Sequence, residues 1–143
     1  MNNVEFWSKW TPENIEKSYC YIDSICSNKY GLTVILVRHD SDQKKEIHVK
    51  FFCGVYCYRD TYETYVDTRM SEVYKRQESS FFRDTNFFKV TNSNYIKWVS
   101  EQSGGISDYQ KLEHYVIFTG DKMVEILSTL PPKIEFVDFS LCP

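Results

Sequence analysis

The sequence is poor in most of the features that mark a chain for chemistry. Its five cysteines, Cys20, Cys26, Cys53, Cys57 and Cys142, are odd in number and thinly spread over 143 residues. That excludes a disulfide scaffold and suits a reducing compartment. Five glycines and four prolines form no linker or low-complexity tract, so one domain over residues 1–143 is expected. No stretch approaches the roughly 18 apolar residues of a membrane span. The opening Met1-Asn2-Asn3-Val4-Glu5-Phe6-Trp7, with Lys9 and Glu13 close behind, lacks the basic and apolar pattern of a secretory leader. A cytoplasmic protein without membrane contact is the expectation.

Basic charge is also short. Seventeen Lys and Arg stand against twenty Asp and Glu, a formal net charge of −3. Binding to a phosphate backbone needs a basic footprint, so nucleic acid is not an expected ligand. An acidic chain is better matched to a basic protein partner. Aromatic residues are abundant instead: eleven Tyr, ten Phe and three Trp. A domain of this length buries about two thirds of its unfolded surface and needs no metal to fold. The surplus of Tyr places some rings at the surface, where Tyr favours protein interfaces.

Hydrophobic periodicity predicts an α+β fold, with an antiparallel β-meander packed by three to four helices. Val4 to Trp10 has the spacing of a short amphipathic helix, and Thr11-Pro12-Glu13 resembles a new helix start. Strands are predicted for Tyr19–Cys26, Leu32–Arg38, Glu46–Phe52 and Val55–Tyr58, with a polar hairpin loop from Asp40 to Lys44. A helix from about Tyr62 to Lys75 follows, capped by Thr61. A loop covers Gln77–Asn86, and a short strand spans Phe87–Val90. The next helix is capped by Asn92 or Ser93, runs through Gln102 and stops at Gly104-Gly105. A strand is predicted for His114–Thr119. Met123, Ile126, Leu127 and Leu130 fall on one face of a helix over Asp121–Leu130, which Pro131-Pro132 ends. A last strand covers Ile134–Val137.

Candidate sites are few. On a regular strand Cys53 and Cys57 lie about 13 Å apart, too far to share a metal with bonds of about 2.3 Å or to form a disulfide. They are read as separate thiols, and no metal or cofactor is expected. Ser103-Gly104-Gly105-Ile106 follows a helix, whereas a phosphate cradle precedes one. Lys44-Lys45 and Lys75-Arg76 are offset by nearby acids and read as solvated faces. Tyr56, Tyr58, Tyr62 and Tyr65 have no positive potential around them and suit packing or a protein interface better than base stacking. Of His39, His48 and His114, only His114, followed by Tyr115 and near the Gly104-Gly105 loop, is a candidate for chemistry, and a structural bond to a backbone carbonyl is its expected role. Arg59, Asp60 and Glu63 cluster where the meander meets the first long helix, as an ion pair, a cap or an acid–base site.

The order Tyr58-Arg59-Asp60-Thr61-Tyr62-Glu63, Val90-Thr91-Asn92-Ser93-Asn94-Tyr95-Ile96-Lys97-Trp98, Glu101-Gln102-Ser103-Gly104-Gly105-Ile106, His114-Tyr115-Val116-Ile117-Phe118-Thr119 and Val124-Glu125-Ile126-Leu127-Ser128 resembles a group of small bacterial proteins. Some proteins of that kind accompany polymorphic or contact-dependent toxins as immunity proteins. The resemblance spans roughly Gly31 to Phe136. It implies a cytoplasmic protein that neutralises a cognate, basic protein toxin by binding and steric occlusion. Asp40, Asp42, Asp60 and Glu63 are the expected partner-binding residues on that reading. Two alternatives stand beside it: a small enzyme with a cleft near His114, Arg59 and Glu63, and a homodimeric structural or regulatory subunit paired through a sheet edge. The protein itself is expected to be a monomer or a homodimer.

Overall fold

The computed structural model describes residues 4–10, 20–38 and 45–138. Its strands are β1 (Phe6–Lys9), β2 (Cys20–Asn28), β3 (Gly31–Arg38), β4 (Lys45–Phe51), β5 (Val55–Tyr62), β6 (Phe87–Thr91), β7 (Glu113–Phe118), β8 (Lys122–Ser128) and β9 (Lys133–Asp138). Two α-helices, α1 (Asp67–Arg76) and α2 (Asn94–Gln102), and two 3-10 turns, Glu63–Val66 and Ile106–Tyr109, complete the described elements. The strands form two antiparallel sheets, ordered β1-β6-β7-β8-β5 and β2-β3-β4-β9.

This corrects the expected single meander packed by three to four helices. Of the strands expected in that meander, β2, β3 and β4 pair in chain order, and β5 leaves them for the other sheet. The five-stranded sheet is the middle layer. Its one face contributes Phe87, Tyr115, Ile117, Val124 and Ile126 to a core shared with Ile22, Leu32, Val34, Leu36, Ile47, Val49 and Phe51 of the four-stranded sheet. Its other face packs Trp7, Phe88, Val90, Val116, Phe118 and Met123 against Met70 and Val73 of α1 and against Phe81.

The largest departure is β8, where the spacing predicts a helix over Asp121–Leu130. Residues Met123–Ser128 are all buried, because β8 lies between β7 and β5 and is covered on both faces. Strands buried on both faces read as unbroken apolar runs rather than alternating ones. The decisive local signal is the turn before it. Thr119 N–H donates to the Lys122 carbonyl (3.1 Å) across the two-residue link Gly120-Asp121, with Gly120 at φ +96°. Gly-Asp at that spacing is a hairpin signature.

The expected helix over Val4–Trp10 is likewise a strand. β1 pairs with β6 and points Trp7 into the core, with its ring 5.9 Å from Phe88 and 6.1 Å from Phe82. The long helix begins with a 3-10 turn, and no side chain caps it, so Thr61 is a β5 residue and not a cap. Other elements follow the expected pattern. β4 alternates, burying Ile47, Val49 and Phe51. Ser93 caps α2, accepting the Ile96 N–H at 3.0 Å. Gly31 closes the β2–β3 hairpin at φ +135°, where an added Cβ would lie 1.9 Å from the Phe51 carbonyl oxygen. The Thr11 helix start, the loop from Asp40 to Lys44, His39 and Cys142 lie outside the described residues.

Candidate functional site

β5, β7 and β8 lie side by side, and their register fixes which side chains meet. Arg59 is directly opposite Glu125. His114 faces Leu127, one step diagonal from Glu125 on the same side of the sheet. Diagonal neighbours of this kind are within reach of long side chains. Arg59 grips both Glu125 oxygens, Nε to Oε2 at 2.5 Å and Nη2 to Oε1 at 3.0 Å. From α1 above, Arg69 adds Nη1 to Oε1 at 2.7 Å. His114 Nε2 lies 2.9 Å from the same oxygen.

The network runs outward from there. Ser93 Oγ lies 2.7 Å from His114 Nδ1. With the imidazole proton on Nε2 every bond has a donor: Ile96 N–H to Ser93 Oγ, Ser93 O–H to Nδ1, and Nε2–H to Glu125. Arg69 also holds Glu5, just before β1, through two bonds of 3.2 Å. The Tyr95 ring lies 4.0 Å under the Arg59 guanidinium and meets His114 edge-on. Its hydroxyl bonds the Cys57 thiol at 2.7 Å. One carboxylate thus ties together β1, β5, β7, β8, α1 and α2.

Burial pushes the Glu125 carboxyl up, but the bond from His114 and the two guanidinium groups outweigh it and hold the acid well below the usual carboxylate range. Burial alone would lower the Arg69 pKa, yet Glu125 and Glu5 raise it. Burial, first, and the bond with the Cys57 thiol push the Tyr95 phenol up.

Ser93, His114 and Glu125 follow the order of an acyl-transfer triad. Three features oppose that chemistry. His114 and Glu125 have no exposed surface and Ser93 is buried. The Ser93 hydroxyl already serves as the α2 cap. Two arginines neutralise Glu125, leaving little charge to stabilise an imidazolium. The neighbouring depression, about 550 Å³, is lined by Arg59, Thr61, Tyr65, Arg69 and Glu72 and includes neither Ser93 nor His114.

Of the residues singled out in the sequence, Arg59 and His114 therefore do meet, through Glu125. Glu63 stays outside: its charge acts on Tyr74 together with that of Asp67. Asp60 pairs with Lys122 at 2.7 Å. Asp40 and Asp42 lie outside the described residues. Cys53 is exposed while Cys57 binds Tyr95, and no cluster suited to a metal ion occurs among the described residues. The sequence reading missed Glu125, Arg69 and Glu5. The available signal was the single carboxylate in the apolar run Met123–Leu127, which demands cations once that run is a buried strand.

The outer part of β5 has a different character. Tyr56, Tyr58 and Tyr62 are 55%, 42% and 61% exposed, and Tyr65 in the following turn is 82% exposed. Asp60, Asp121 and Tyr62 gather around Lys122, and Glu63 and Asp67 act on Tyr74 of α1 close by in the chain. Arg59 and Arg69 do not offset this charge, because Glu125 and Glu5 hold them.

No described helix is long and apolar enough to cross a membrane. Comparison with protein-family models, curated proteins and solved structures finds no match for the chain.

Proposed function

We propose that this protein works by holding a macromolecular partner rather than by catalysis: a cytoplasmic immunity-type protein that neutralises a cognate toxin by occluding it. The observation that carries the reading is the row of exposed tyrosines on β5 and the turn after it, set among carboxylates. Exposed Tyr supplies large, stiff contact area of the kind that forms binding hot spots. The surrounding acids would steer a basic surface onto it. The small-enzyme reading has less to support it, since His114 is sealed and Glu63 stands apart from it.

The test is binding and protection with the product of the neighbouring gene. Tight association, with rescue of cells expressing that product, is the expected outcome. The double variant Tyr62→Ser/Tyr65→Ser is expected to weaken the complex by about tenfold or more, the effect of losing about 1.4 kcal/mol or more at a hot spot. Absence of both association and rescue in the unmodified protein would end this reading.

A further inference from the structure

We infer that the free edge of β5 is a strand-addition site, and that its occupant is an extended protein segment bearing Lys or Arg. This deepens the binding reading above and rests on it. The phase of the ladder comes from one bond. Glu63 N–H donates to the Asp121 carbonyl, and the β5–β8 register continues from that pair. In an antiparallel pair the bonded positions alternate. Cys57, Arg59 and Thr61 therefore turn their backbone groups toward β8. Those of Tyr58, Asp60 and Tyr62 point outward, and among the described residues no backbone group pairs with them.

The other three sheet edges carry the protections that natural edges use. β1 is four residues long and ends in Lys9. β2 is broken by a bulge between Ile22 and Ser24. β9 alternates Lys133 and Glu135 along its length. β5 is irregular only at its start, between Val55 and Cys57, and contains neither Lys nor Pro.

The charge selects the occupant. A strand laid along Tyr58–Tyr62 passes Asp60, with Asp121 near it across Lys122, and Glu63 follows directly in the chain. A second copy paired through its own β5 would bring from that strand only Arg59, already committed to Glu125. An external basic segment adds cations where Lys122 alone serves Asp60 and Asp121, while its backbone takes the outward amides and carbonyls and its alternate side chains lie on Tyr58 and Tyr62.

The test uses the full chain, a short alternating lysine–valine peptide and its glutamate–valine counterpart, with amide hydrogen exchange as the readout. The lysine peptide is expected to slow exchange at Tyr58, Asp60 and Tyr62 by about tenfold or more, leaving Cys57, Arg59 and Thr61 unchanged. The glutamate peptide is expected to do nothing. Tyr58→Pro removes an outward donor without touching the β8 ladder and should abolish the response. If that variant does not fold, Tyr58→Lys, which adds like charge to the edge, serves in its place. No slowing with the lysine peptide, equal slowing with both peptides, or slowing that rises with protein concentration alone would overturn the inference; the last would assign the edge to a second copy. A folded Tyr58→Pro protein that still holds the neighbouring gene product at full affinity would remove strand addition and leave the binding reading standing. Failure of the unmodified protein to bind that product would remove the binding reading, with the peptide result still deciding the edge.

Discussion

Glu125 has no exposed surface, yet it is charged, and three donors make that possible: Arg59, Arg69 and His114. Removing one partner of a buried ionic set is far more damaging than replacing the whole set, because charges are left without a counter-ion. Glu125→Gln is expected to cost about 3 kcal/mol in urea unfolding, the lower end of that range, since the Arg59 and Arg69 side chains are only partly buried. A second outcome concerns acid. The folded carboxyl titrates below its unfolded value, so its stabilisation is complete above about pH 4.3 and is lost as pH falls further. Unfolding midpoints should therefore drop below that pH, and the Glu125→Gln protein should show a shallower drop. At this scale the sequence offered Arg59 and His114 as neighbours but not the acid between them. Their meeting depends on the sheet register, which no local pattern encodes.

β8 shows why some elements were legible and others were not. β3 and β4 carry β-branched residues with alternating burial, and α2 carries its cap and its glycine stop, so their local signals agree with their places in the fold. In Met123–Leu130 the apolar residues match both a helix face and a strand covered on two sides, and only the Gly120-Asp121 turn before them and their tertiary position separate the two. β1 is too short for periodicity to decide, and its pairing with β6 does so instead. Val124→Lys distinguishes the two readings of β8. On a helix whose apolar face is Met123, Ile126, Leu127 and Leu130, position 124 would be solvated and tolerant. In the strand Val124 is fully buried against the second sheet. The expected result is a loss of about 3 kcal/mol or more, or no cooperative transition, by urea or thermal unfolding.

For the whole molecule the two sides of β5 divide the labour. Toward β8 and the helices, Arg59 and Cys57 join the network that holds the layers together. Toward solvent stand its exposed tyrosines and, among the described residues, backbone groups that no other strand pairs. The sequence carried the class of this surface, acidic and rich in Tyr, but not its location. The edge without a backbone partner among the described residues emerges only once β5 leaves the other strands for the five-stranded sheet.

The most direct measurement is survival of cells co-expressing the neighbouring gene product with the unmodified protein, with Ser93→Ala, or with Tyr62→Ser/Tyr65→Ser, each variant checked for folding. If the protein acts by holding, Ser93→Ala loses about 2–3 kcal/mol of stability, with its cap and with the donor to the buried His114 Nδ1, and the folded variant protects as well as the unmodified chain, while the double tyrosine variant fails to protect. A folded Ser93→Ala protein that no longer protects, beside a tyrosine variant that does, would contradict the claim and place the function in the buried Ser93–His114–Glu125 network.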